Sequence, residues 1–208
     1  MTLESSSTLG GIGALLIVIS PLAAGYAGLL DLAGLILILI AFNDLANIYT
    51  DRRIFNNVLY GVIATIVGAV IAGVVVVVAA FGIFSALNIH VSWTNWSALQ
   101  TYNWQGFNNW SAIAPYIAAI VGALIILVIF LVVATILLRR SLSTLSEKTG
   151  TQMFGTAGLL FLIGAALTIV IVGVVLLWIA MLLLTVSFFE MRTRPTQPIP
   201  PQPTTTSP

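Results

Sequence analysis

Two stretches of this chain stay apolar for longer than a single membrane-crossing helix can use. Residues 9–47 carry only Asp31 and Asp44 as charged groups, and residues 155–189 carry none. At 1.5 Å per residue the first stretch would make one helix of roughly 58 Å, against a hydrocarbon core of about 30 Å. Each stretch must therefore fold back on itself. Charged residues make up 6% of the 208 and hydrophobic ones 60%, where a soluble domain carries roughly 25% charge. Such a chain cannot cover a water-facing surface, and its length leaves room for about five or six spans of ~20 residues.

The first break belongs at "SPLAAGYAG" (Ser20–Gly28), where Pro21 removes a backbone donor and Gly25 and Gly28 permit a turn. Helices are expected at about 8–23 and 27–47, then, after a polar loop, at about 55–87 and 112–148. The valine run Val74–Val78 is a poor helix former in water. In lipid an unpaired backbone costs more, so the helix stands. Gly150 is read as the stop of the fourth helix. No polar turn marks a break in 155–189, and charge decides it indirectly. One helix there would put Arg192 and Arg194 opposite every other base, whereas a break near Gly173 makes all bases agree. Two short helices, at about 155–172 and 174–190, are expected.

The expected fold is thus an all-α bundle of about six transmembrane helices, two helical hairpins flanking two long helices. Arg52, Arg53, Arg139, Arg140, Lys148, Arg192 and Arg194, which are all seven Lys and Arg residues, then share one side. The positive-inside rule makes that side cytoplasmic. Both termini lie there, in a multi-pass membrane protein. Residues 192–208 are proline- and threonine-rich, without core-forming content, and read as an extended, disordered cytoplasmic tail. The first apolar run has no basic residues before it and reads as a retained helix. The two hairpins look alike at a shift of 145 positions, which pairs Gly13 with Gly158 and Gly28 with Gly173; parallel repeats enter a membrane from the same side in this way.

Residues 88–111 become an external loop. The stretch from Asn88 to Tyr116 holds four of the five tryptophans and the lone histidine, His90, and no Lys, Arg, Asp or Glu. Aromatic rings of this kind favour the membrane interface, or form a platform for a sugar or partner. "NWS" occurs there twice, making Asn95 and Asn109 acceptor sequons for glycosylation.

Chemistry is sparse. Net charge near +1 gives no nucleic-acid footprint, and zero cysteines exclude thiolate metal sites and disulfides. No catalytic set, metal site or cofactor site can be assembled, so an enzyme is not expected. Asp31 sits about one turn inside the outer end of the second helix. It is either an interfacial group bonded to Tyr26 or loop amides, or a proton or cation site. Asp44, Asn47 and Asp51 share a helix face and are expected to pair with Arg52, Arg53 or Arg139–Arg140. Small residues at Ala64, Gly68 and Ala72, and at Ala114, Ala118 and Gly122, make ridges that let helices approach closely in lipid, inside the bundle or against another subunit.

"LGGIGALL" (Leu9–Leu16), "DRRIFNNVLYG" (Asp51–Gly61), "RRSLSTLSEKTG" (Arg139–Gly150) and "TAGLLFLIGAALTIVIVG" (Thr156–Gly173) resemble a family of small multi-spanning prokaryotic membrane proteins, mostly archaeal, defined only as a domain of unknown function. The resemblance covers about residues 9–190 and implies a polytopic plasma-membrane protein, with no catalytic residues to carry over. Two functional expectations follow. The first is a non-catalytic membrane subunit or scaffold, whose partners are lipids and other membrane subunits or copies of itself. The second is a small transporter or channel with Asp31 in its path. A lipid-modifying enzyme would need acid/base residues that do not come together.

Overall fold

The computed structural model describes residues 2–23, 25–87, 110–170 and 172–193. It is all-helical: α1 (Leu3–Ile19), a 3₁₀ turn (Ser20–Leu22), α2 (Ala27–Ile48), α3 (Arg52–Ala86), α4 (Trp110–Thr149), α5 (Gln152–Ala166), a 3₁₀ turn (Thr168–Val170) and α6 (Val172–Thr193). Five of these helices are long and apolar enough to cross a membrane, and α5 is a shorter apolar helix.

Most helix boundaries shift by a few residues from the sequence reading, the largest shift being the end of α5, at Ala166 rather than 172, where the 3₁₀ turn begins the reversal. The first helix starts at Leu3 rather than near 8, because the Thr2 hydroxyl caps the Ser5 amide at 3.4 Å. Its polar start is also buried: Ser7 Oγ donates to the Phe188 carbonyl at 2.8 Å. The polar loop shrinks to Tyr49–Asp51, with α3 starting at Arg52 rather than 55. There the Asp51 amide donates to the Ala46 carbonyl and the Thr50 amide to that of Asn47, while the Asp51 carboxylate caps the Arg53 amide. This is a Schellman close, but the residue in its left-handed position is Thr50, at φ 51°. A β-branched residue is strained there. Thr50→Gly is therefore expected to raise stability by about 1 kcal/mol, read as a higher unfolding midpoint in detergent. At the chain's other end, α6 extends through Arg192 to Thr193, so helix replaces the start of the expected tail.

Both apolar stretches do fold back. Pro21 sits in the first 3₁₀ turn, and Gly25, at φ 89°, lets the chain reverse. The second reversal has no proline. A Cβ on Gly173 would fall on the Thr168 amide and on the carbonyl groups of Gly164 and Leu167. With no Cβ, the Gly173 amide reaches the Leu167 carbonyl at 3.2 Å and the turn closes. The two hairpins share the order helix, 3₁₀ turn, helix, and their second helices start 145 residues apart, at Ala27 and Val172. Their packing differs: Gly13 lies on Gly34 within its own hairpin, whereas Gly158 lies on Arg139 of α4.

Each helix packs against its neighbours in sequence, and α1 closes against α6, making a six-helix ring. Antiparallel α1 and α6 are tied at both ends, by the Ser7 bond and by Trp178 Nε1 donating to the Val18 carbonyl at 3.0 Å. One end of the ring is solid. Phe42, Phe154 and Phe188 meet there edge to face at 5.3–5.7 Å, with Leu45, Ile54, Leu142 and Leu145 fully buried around them. Ser141 Oγ donates to the Ile54 carbonyl at 2.6 Å, and Lys148 meets Asp51 at 3.4 Å. This is the basic end, since Arg52 and Arg53 start α3 and Arg139, Arg140 and Lys148 lie in the last turns of α4.

The two long helices overshoot the ring. At 1.5 Å per residue, α3 with 35 residues outreaches α2 with 22 by roughly 20 Å. Its face toward α4 runs Ile54, Val58, Gly61, Thr65, Gly68, Ala72, then Ala79 and Gly82, alternating steps of four and three. That 3.5-residue repeat is the seam of a left-handed helix pair. A Cβ on Gly68 would lie 2.5 Å from Phe130 Cβ, and one on Gly61 would lie 3.0 Å from the Ala134 carbonyl oxygen.

Candidate functional site

Inside the ring, beyond the aromatic floor, lies a cavity of about 490 Å³. All six helices line it. Its bottom is set by buried Val58 and Phe161, and its mouth by Pro21, Asp31, Ile66 and Val174, all exposed. The walls include Leu35, Leu131, Leu177 and Met181.

Polar groups in the walls are largely spent on the fold. Thr65 Oγ1 donates to the Gly61 carbonyl, Thr135 Oγ1 to those of Leu131 and Val132, and Trp178 Nε1 to that of Val18. Asp31 is the single charged residue of the lining, and among the described residues it makes no hydrogen bond or ion pair. It occupies the second turn of α2. The expected partner Tyr26 is exposed and does not take that role. The arrangement suits binding: an apolar chamber with one carboxylate at its rim. Among the described residues no three of His, Asp and Glu gather in a way that could hold a metal ion.

Other residues singled out by sequence fall elsewhere. Gly68 and Ala72 are buried in the α3–α4 seam, and Ala64 is half-buried beside it. Ala114 and Gly122 are half-buried and Ala118 is exposed; a Cβ on Gly122 would meet nothing within 4 Å. Arg52 and Arg53 do not pair with Asp44 or Asp51. Arg52 Nη1 instead donates to Asn43 Oδ1 at 3.5 Å, and Asp51 takes Lys148. Arg139 and Arg140 are exposed. Asp44 Oδ2 is buried without a hydrogen-bond partner among the described residues. Burial pushes the Tyr49 hydroxyl up from its ordinary value. The sequons Asn95 and Asn109, His90 and the aromatic loop lie outside the described residues, as do Arg194 and the tail beyond it; Arg192 falls in the last turn of α6.

Sequence reasoning missed Trp178 and the two wall threonines. A signal existed for the tryptophan: it is the one Trp of five outside the 88–116 stretch.

Residues 30–182 match the family described as "Protein of unknown function (DUF996)". The chain belongs to this family. The DUF996 match takes in Asp31 and every cavity-lining residue through Met181, leaving out only Ile17, Ser20 and Pro21 from α1 and its turn. The chain is also 32% identical, over 191 residues, to an uncharacterized protein of Methanocaldococcus jannaschii, covering 92% of this chain and 94% of that one. No solved structure matches.

Proposed function

We propose that this DUF996 protein is an integral membrane subunit that works by helix-to-helix docking, inserted with its basic end in the cytoplasm. The observation that carries this reading is the overhang of α3 and α4. Beyond the reach of α2, among the described residues, the two helices pack on each other, and Val74, Val77, Val78 and Phe81 are exposed on one of them and Val121, Leu124 and Ile125 on the other. The small-residue ridge Ala114–Ala118–Gly122, exposed at Ala118 and half-buried at its two ends, lies on the same hairpin. Close helix approach over small residues is how subunits associate in lipid.

The test is to tag the protein in its host, extract it in a mild detergent and identify co-purifying proteins by mass spectrometry. A stoichiometric partner is expected, and Gly122→Leu should lose it while the ring stays folded, since among the described residues a Cβ there would meet nothing within 4 Å. Recovery of the protein alone, or of the same partner with Gly122→Leu, would overturn docking through this ridge. The same spectra read sugar on Asn95 and Asn109.

A second reading, transport of a small solute, draws on the cavity and its carboxylate. Solute flux lost in Asp31→Asn supports it, and unchanged flux removes it.

A further inference from the structure

We infer that the cavity is a binding site for a single-chain amphipathic cation, its ammonium at Asp31 and its apolar body between Leu35, Phe161 and Leu177. The inference concerns occupancy of the cavity, not passage through the ring or docking of a partner, so it stands or falls apart from both readings above.

Three observations fix the class of ligand. Volume comes first: about 490 Å³ lies in the range of small-molecule sites, roughly 300–1,000 Å³, and suits one short chain, not a whole two-chain lipid. The lining comes second. With Thr65, Thr135 and Trp178 already bonded to backbone carbonyls, the walls present apolar surface and leave a polar occupant nothing to bond except near the mouth. An apolar body is therefore favoured there, and a polar one would lose its hydration unrepaid. Charge comes third. The lone charged lining group is an acid that has no partner among the described residues. An anion of the same shape would be repelled at the mouth, and a neutral one would gain nothing there. Only a cation completes the rim, through a charge-assisted hydrogen bond beside low-dielectric walls.

The geometry also closes the far side. Phe161 and Val58 form the floor, and the Phe42–Phe154–Phe188 cluster fills the ring beneath it. The occupant thus enters and leaves by the Asp31 mouth, with its charged end outermost.

The experiment uses the full-length protein in nanodiscs of uncharged lipid, with radiolabelled octylammonium as the probe and octanol and octanoate as matched neutral and anionic comparators. Binding is read by equilibrium dialysis against empty nanodiscs, which subtracts simple partition into lipid. Saturable octylammonium binding near one per protein is expected, roughly tenfold tighter than octanol, the scale of one charge-assisted contact. Octanoate should bind more weakly than either. Asp31→Asn should bring octylammonium down to the octanol level and leave octanol unchanged. Since Asp31 is exposed and bonded to no described residue, this variant leaves the fold intact. Leu35→Trp, which fills the chamber, should abolish binding of both probes, with helicity checked by circular dichroism. Octylammonium retained equally by the wild type and Asp31→Asn, or octanoate bound as well as octylammonium, would overturn the proposal. Binding without efflux from proteoliposomes would uphold it and remove transport.

Discussion

Gly173→Ala is expected to cost about 3 kcal/mol or more, toward the upper end of overpacking penalties. The added methyl would land on backbone: the Thr168 amide and the carbonyl groups of Gly164 and Leu167. Backbone cannot rotate away as a side chain can, so α6 must lift off the 3₁₀ turn. The lift is transmitted along α6, because that helix closes the ring through Trp178 and Ser7. In detergent, unfolding of Gly173→Ala by increasing SDS should come at a clearly lower midpoint than in the wild type. Gly73→Ala supplies the comparison, since a Cβ there would meet nothing within 4 Å. If both variants unfold together with the wild type, the α5–α6 reversal does not close at Gly173.

The second large effect is expected at the α1–α2 crossing, where two glycines lie back to back. A Cβ on Gly13 would sit 2.7 Å from the Gly34 carbonyl oxygen, and a Cβ on Gly34 would sit 2.5 Å from that of Gly13. Either alanine should force the helices apart and cost roughly 2–3 kcal/mol in lost packing. The double variant is the sharper test. Once one methyl has separated the helices, room for the second already exists, so the pair should cost less than the sum by about 1 kcal/mol or more, as residues sharing one contact do. Strict additivity in SDS unfolding would mean that the two methyls act on separate contacts and that the close crossing is absent.

The turns and the helices were legible for local reasons. Pro21 and Gly25 mark the first reversal by backbone chemistry alone, and Gly150, at φ 69°, stops α4 in the same way. The break near Gly173 was reached only through the bookkeeping of Arg and Lys, since no polar residue marks it; its cause is a contact between backbones that no composition reveals. The neighbours of each helix were not legible. A helix apolar on every side shows no periodicity to say which face turns inward, so the meeting of Phe42, Phe154 and Phe188 from three helices left no trace in their spacing. The α3 seam was half visible. Gly68 and Ala72 were picked out on a four-residue step, but the helix pair follows the 3.5-residue repeat that adds Gly61 and Gly82. Asp31 stood out as a charge in an apolar run; the chamber it guards is made by residues from all six helices and belongs to none of them.

The ring's closing seam joins the beginning of the chain to its end. Ser7 and Phe188 are 181 residues apart, and Val18 and Trp178 are 160 apart. During synthesis, which proceeds from the N-terminus, α1 emerges first and has only α2 for company until α6 arrives. The cavity has no sixth wall before that moment, and the face of α1 that carries Ser7 and Val18 stays open. The helix made first is the one that waits longest, so a ribosome stalled before Val172 leaves an open arc of five helices with nothing to enclose.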